Sequence, residues 1–274
     1  MALNSKVVLL TGASMGIGEA IAHALATEGA RLILISRSKD KLEKLIQTLS
    51  DKYPGFKGSF YVTDVTDHKA VETSVSKAVQ EAGHIDILIN NAGLALGAPA
   101  RFPELSISDI VTMNNTNVNG YMFMTHAVLN QAMLPRDGGV GTILNITSTT
   151  ALEAPPFPGE AVYHANKALQ EAFTNALRNE LSGTNIRVLA LRPGVVATHF
   201  HEQRVGFDKG MYDEFMEGFQ PLLSEDVASA AVFMLSQPLN RSIKALDVVP
   251  SADMCKAQRS LNVFDRKWSE RNPQ

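Results

Sequence analysis

Tyr163 and Lys167 stand four residues apart in VYHANKALQ, residues 162–170, a spacing that sets two side chains on one face of a helix. A phenol ionises near pH 10 and is a weak proton donor at neutral pH. An ammonium held about 5 Å away, at an effective dielectric near 20, would favour the phenolate by roughly 3 kcal/mol and bring the phenol from about 10 to about 8. A tyrosine tuned in this way could protonate the oxygen of a carbonyl as hydride reaches its carbon, and take the proton back in the reverse direction. An isolated pair of this spacing is more often an accident of a solvated helix face, so the rest of the chain has to supply the hydride carrier and the groups that position the carbonyl.

A carrier site is suggested by TGASMGIG, residues 11–18, where an apolar run hands over to the helical pattern IGEAIAHALATEG. Gly12, Gly16 and Gly18 would let backbone approach a phosphate at a helix N-terminus, with Ser14, Met15 and Ile17 completing the same cradle. Some twenty residues on, where an acidic residue would hold the ribose 2′-hydroxyl of NAD, the chain reads ISRSK with Ser36 and Arg37 in its place and Lys39 nearby. A guanidinium can bind two oxygens of a 2′-phosphate at once, so NADP is the expected cofactor. The plainer reading of Arg37 is a solvated residue opening the next helix.

The elements that would position these groups are legible as an alternation. Short apolar runs at 7–12, 31–36, 58–65, 85–93, 142–148, 186–194 and 245–251 are separated by helical patterns. Strands apolar on both faces with crossover-length segments between them imply a parallel sheet covered on both sides. The expected fold is α/β, a single doubly wound Rossmann-type domain over 1–274 with about seven strands. With 25 basic and 28 acidic residues mixed along the length and a net charge of −3, no basic block tracks a phosphate backbone, so nucleic acid is excluded as a partner. The run in MALNSKVVLLTG is too short to span a bilayer and reads as a buried first strand, so no membrane partner is expected. Cys255 is the one cysteine, which excludes an internal disulfide and fits a reducing, cytoplasmic setting.

Together, TGASMGIG, Asp64-Val65, NNAG at 90–93, Asn117 in TNVNG, Ser148, YHANK at 163–167 and PG at 193–194 resemble the classical short-chain dehydrogenases/reductases, in the family's order and over nearly the whole chain. The resemblance implies that Asp64 and Val65 hold the adenine, Asn91 the adenosine side, and Val196 and Thr198 the nicotinamide carboxamide and diphosphate. It also implies that Lys167 binds the nicotinamide ribose, and that Asn117 anchors a water linking Lys167 to solvent. Ser148 would hydrogen-bond the carbonyl oxygen where charge develops. The stretch between Ser148 and Tyr163 is longer than the family usually shows, which makes Thr150 a rival. Three prolines there could absorb an insertion without moving the serine. His164 points to a different helical face from the acid and reads as a packing or interface residue.

Residues 195–222 carry no clear strand and are rich in Phe, Met and His, a candidate substrate lid. NNAGLALG, THFHEQR and PLLSEDVASA are similar to the NADP-dependent serine and 3-hydroxy acid dehydrogenase branch. Arg204 could then pair a substrate carboxylate, or be a surface arginine. Phe207, Met211, Phe215, Met216 and Phe219 equally suit a larger apolar ketone, as in reductases of specialised metabolites or sugars. His199, His201 and Glu202 converge poorly for a metal in a loop, so no metal is expected. The expected activity is NADP(H)-dependent interconversion of a secondary alcohol and a ketone on a small molecule. A non-catalytic NADP-binding regulator is the rival, opposed by the complete set of Asn117, Ser148, Tyr163 and Lys167. Long helices near 114–134 and 160–182 are candidates for packing in a homodimer or homotetramer.

Overall fold

The structure is a computed structural model that describes residues 2–153, 159–216 and 220–251. Pro155, Pro156 and Pro158 of the long gap, Phe219 and Cys255 lie outside the described residues, as do the side chains of Met211, Phe215 and Met216. The strands are β1 (Val7–Thr11), β2 (Arg31–Ser36), β3 (Lys57–Val62), β4 (Ile87–Asn90), β5 (Val140–Ile146), β6 (Asn185–Pro193) and β7 (Ala245–Val248). All pair in parallel in the order β3-β2-β1-β4-β5-β6-β7. The expected Rossmann-type sheet of seven strands is the observed one.

Alternation along the strands divides the core. Val8 and Leu10 of β1, with Leu32 and Leu34 of β2, pack with α1 (Gly16–Thr27), α2 (Lys39–Lys52) and α9 (Ser224–Leu235) on one face. Val7, Leu9, Ile33 and Ile35 turn to the other, against α3 (His68–Ala82), α5 (Tyr121–Val128) and α6 (Ala161–Glu180). Period-two side-chain direction with helices on both faces explains why these strands read as unbroken apolar runs. Helix boundaries follow local chemistry: Asp67 caps α3 by accepting from the Lys69 and Ala70 amides, and Gly83 ends it at φ 84°.

Two features depart from the sequence reading. The helix expected near 114–134 is α4 (Ile107–Asn114) running through a wide turn at Asn115–Gly120 into α5, then a second wide turn at Leu129–Met133. Such i→i+5 turns leave one residue extra in the spiral and redirect backbone carbonyls. The segment 195–222 is not a loop: it forms α7 (His199–Arg204) and α8 (Lys209–Met216), and its two ends are tied where Ala197 N donates to Leu222 O and Leu222 N to Val195 O. No described helix is long and apolar enough to cross a membrane.

The strand order reverses between β1 and β4, and α1 packs closely there. A Cβ at Gly18 would run into the Gly12 carbonyl and lie 2.7 Å from Asn91 Nδ2. Gly18→Ala should therefore destabilise the protein by about 1–3 kcal/mol and weaken cofactor binding. Thermal denaturation and NADPH fluorescence titration check this; an unchanged melting temperature would contradict it.

Candidate active site

At the carboxyl ends of the strands, beside the reversal of strand order, lies a cavity of about 670 Å³, where open α/β sheets bind ligands. Gly12 and Gly16 on its wall hold φ of +63° and +56°, a region costly for residues with a Cβ. A Cβ at Gly12 would press within 2.9 Å of Ala92 Cα. Met15 at the N-cap of α1 makes no side-chain capping bond, so the first-turn amides are left for an anion. Asn91 ties the two strand ends by donating to Thr11 O and Gly12 O at 3.1 Å each, while Thr11 Oγ1 accepts from the Asn91 and Ala92 amides. Ser14, Ile17, Val65, Val196 and Thr198 reach the same cavity. Thr198 also starts α7 by accepting from Phe200 N.

At the end of β2, Ser36 Oγ donates to Ser14 Oγ at 2.8 Å and accepts from Ser38 N. The Arg37 side chain is 63% exposed and lies 4.0 Å from Asp64 Oδ2, while Asp64 Oδ1 accepts from Thr66 N and Oγ1. An exposed pair at that distance is worth little, so a doubly charged phosphate can take the guanidinium from it. Lys41 is a further cation on the cavity wall. Lys39, expected nearby, instead pairs with Glu43 along α2. Glycine cradle, uncapped helix start and Arg37 with Lys41 fit a nucleotide carrying a 2′-phosphate.

The proposed catalytic groups converge around α6. Tyr163 and Lys167 are buried on one face, with Lys167 Nζ 5.7 Å from the Tyr163 ring centroid. Ser148 is buried at the end of β5, accepting from Thr150 N and donating to Pro193 O, and its hydroxyl draws the Tyr163 pKa downward. Thr150 also faces the cavity, but its carbonyl is held by His164 Nδ1, so His164 ties Thr150 to α6. Asn117 sits in the first wide turn, its side chain clamped to Leu94 N at 2.9 Å and Leu94 O at 2.8 Å.

The electrostatic expectation for Tyr163 is corrected. Burial pushes the phenol pKa up, well above its ordinary 10; Arg204 and the Ser148 hydroxyl oppose this, and Glu160 adds to it. Lys167 is itself pushed down to about 8 by burial, against Glu171. The simple pair sum treated both groups as solvated, whereas desolvation penalises both charged forms at once. The ammonium also points elsewhere, to Ile146 O at 3.1 Å and Gln170 Oε1 at 3.1 Å. A side chain joins Asn117 and Lys167: Gln170 Nε2 donates to Asn117 O at 2.7 Å, and Gln170 Oε1 accepts from Lys167 Nζ at 3.1 Å.

Arg204 is not a surface arginine. It is 5% exposed, donates to Glu160 Oε2 and His201 Nδ1, and its guanidinium carbon lies 5.4 Å from the Tyr163 ring centroid. Because a guanidinium only donates, His201 accepts through Nδ1, and burial beside that charge lowers its pKa to about 3, keeping it neutral. His199 and Glu202 pair with each other on the exposed side of α7, away from His201.

Glu160, Gln170 and the Glu171–Arg192 pair were not singled out from sequence. The signal for Gln170 was present: Tyr163, Lys167, Gln170 and Thr174 follow i, i+4, i+7, i+11, a polar stripe where an apolar one is expected. Arg37→Asp should weaken NADPH binding at least tenfold and spare or improve NADH. Dissociation constants by fluorescence titration check this; equal loss for both would point to a general charge or folding effect instead.

The model of the short chain dehydrogenase family matches residues 6–207. The chain is 37% identical over 250 residues to the NADP-dependent 3-hydroxy acid dehydrogenase of Schizosaccharomyces pombe, covering 91% of this chain and 94% of that one. It is 36% identical over 247 residues to sulfoacetaldehyde reductase 2 of Chromohalobacter salexigens, covering 90% and 95%. Among solved structures, the closed form of a serine dehydrogenase complexed with NADP+ superposes with a TM-score of 0.82 at 33% identity, covering 91% and 97%. With its order of strands, its glycine cradle and the grouping of Ser148, Tyr163 and Lys167, this chain belongs to the short-chain dehydrogenase family.

Proposed function

We propose that this NADP-dependent oxidoreductase, which interconverts a secondary alcohol and a ketone, acts on short 3-hydroxy acids, β-hydroxy amino acids among them, with Arg204 reading the carboxylate. The observation that carries this reading is a buried guanidinium stacked beside the Tyr163 ring on the cavity wall. An acid group one carbon from the reacting centre can meet Arg204 while the hydroxyl meets Tyr163. Relatives named serine 3-dehydrogenase, 3-hydroxy acid dehydrogenase and sulfoacetaldehyde reductase support it, since each acts on a small molecule with an acid group near the reacting carbon. Glu160 already balances Arg204, which favours a second reading, a larger neutral ketone against Phe200.

The bound cofactor supplies or accepts the hydride; the residues of the chain manage the proton. Tyr163 keeps its proton at neutral pH and is the acid for reduction, while oxidation needs it to lose that proton and gains as pH rises. Ser148 holds the carbonyl oxygen as charge develops. Lys167 is charged below about pH 8 and holds the ribose. Residues 195–222 act as the lid of one domain spanning 1–274, carrying Arg204 and Phe200 onto Tyr163. The complete set of Asn117, Ser148, Tyr163 and Lys167 opposes a purely regulatory role. Exposed Ile107, Val111 and Leu134 near the α4–α5 rod support a homodimer or homotetramer, and a lone cysteine supports a cytoplasmic setting.

Tyr163→Phe should abolish turnover and leave the NADPH dissociation constant within about twofold. Ser148→Ala should cost about a hundredfold or more in kcat and Thr150→Ala far less; the reverse order would reassign the hydroxyl. In the wild type, reduction measured from pH 6 to 10 should hold level and fall above about 8, as Lys167 sheds its proton, while oxidation rises. Arg204→Ala should raise KM for 3-hydroxybutyrate about tenfold or more without affecting neutral ketones, and Glu160→Gln should lower it. Wild-type activity confined to neutral ketones, unchanged in Arg204→Ala, would establish the second reading instead.

A further inference from the structure

The face of α6 that carries Tyr163 and Lys167 continues into Gln170, 1% exposed, and Thr174, fully buried. A leucine at 170 would pack against this interior without needing partners, whereas a buried amide requires them. Gln170 has two, on opposite sides of the cleft between α6 and the first wide turn: Oε1 accepts from Lys167 Nζ at 3.1 Å, and Nε2 donates to Asn117 O at 2.7 Å. A backbone carbonyl only accepts and an ammonium only donates, so this amide has one satisfactory orientation and cannot flip.

Each neighbour is held in turn. Asn117 is fixed by the bidentate grip of its side chain on Leu94, and the wide turn Asn115–Gly120 places its carbonyl toward α6. Thr174 Oγ1 donates to the Gln170 backbone carbonyl at 2.6 Å and accepts from Asn145 Nδ2 of β5 at 2.9 Å. The groups facing Lys167 are few. From α6 come the Tyr163 ring and, electrostatically, Glu171; from β5 comes the Ile146 carbonyl; the wide turn reaches it through Gln170. Glu171 is itself held by Arg192 and Thr147. Gln170 is thus the one side chain hydrogen-bonded to Lys167 among the described residues.

We propose that Gln170 is a positioning residue of the active site: its amide ties the Lys167 ammonium to the Asn117 carbonyl and so holds the lysine, charged and in register, under the cofactor. The inference rests on the reading of Tyr163 and Lys167 as the catalytic pair. A neutral acceptor aimed at the ammonium offsets part of the burial that otherwise strips its proton. Removing that acceptor moves the loss of charge to lower pH; replacing it with a carboxylate moves it to higher pH.

The test is NADPH binding by fluorescence from pH 6 to 10.5 for wild type, Gln170→Leu, Gln170→Glu and Lys167→Met, each with its melting temperature, alongside turnover of Tyr163→Phe. Gln170→Leu should weaken NADPH about fivefold or more at pH 8 and start the alkaline loss of affinity about one pH unit earlier, the size of one hydrogen bond to the charged form. Gln170→Glu, nearly isosteric, should delay it, and Lys167→Met should abolish that limb. Gln170→Ala, which leaves room for a water between Nζ and the Asn117 carbonyl, should fall between leucine and wild type. Alkaline limbs that coincide for wild type, leucine and glutamate variants overturn the proposal, as does a limb that survives Lys167→Met. Should the leucine variant fail to fold, the opposite shift expected of Gln170→Glu decides alone. Retained turnover in Tyr163→Phe defeats the catalytic reading and this inference with it; a dead Tyr163→Phe with coincident limbs defeats this inference only.

Discussion

The burial of the Lys167 ammonium on the inner face of α6 constrains everything around it. A charge away from water is tolerated only where oxygens are aimed at it, and here those are the end of β5, through the Ile146 carbonyl, and Gln170. The first contact ties α6 to β5, and Gln170 carries the second across to the Asn117 carbonyl in the wide turn Asn115–Gly120. The same polar seam extends below the site: Asn90, Thr125, Tyr121, Asn145 and Thr174 bond one another between β4, β5, α5 and α6. Asn90 Oδ1 is its one atom without a partner among the described residues, and such a network specifies one packing because any slip of helix or strand leaves further buried donors or acceptors unpaired.

A second buried charge system braces the outer side of the site. Glu171 of α6 takes a bidentate contact from Arg192 of β6 and a hydroxyl from Thr147, while Arg192 reaches Asp247 of β7. Such a pair adds little net stability after desolvation, and breaking it by removing one partner is costly. Its effect is geometric: β6 and β7 are held against the helix that carries Tyr163. Arg204 and Glu160 repeat the arrangement on the cavity wall, where α7 meets the start of α6.

Much of the fold was legible in sequence for a physical reason. A parallel sheet covered on both faces demands apolar residues at consecutive strand positions, so each strand appears as a short run such as RLILIS, which is β2 residue for residue. The glycines of TGASMGIG were readable because close backbone approach and positive φ tolerate nothing else at Gly12 and Gly16. Less was legible at helix interruptions: NTNVNG reads as ordinary helix, whereas it is a wide turn whose Asn117 contacts Leu94 and Gln170 from distant segments. Residues 195–222 read as irregular because α7 is six residues long and its apolar and polar residues answer to Tyr163 and Glu160 rather than to a sheet.

The sequence by itself determined the succession of strands and crossovers along the chain, the cofactor cradle, the basic residue at the end of β2 and the helical pairing of Tyr163 with Lys167, since each depends on neighbours within a few residues or on a period. Only the tertiary structure decided the ionisation of that pair, the burial of Arg204 against Glu160 and the bridge from Lys167 through Gln170 to Asn117. These depend on which groups from distant segments exclude water from one another, and desolvation is a property of the assembled interior that no local spacing encodes.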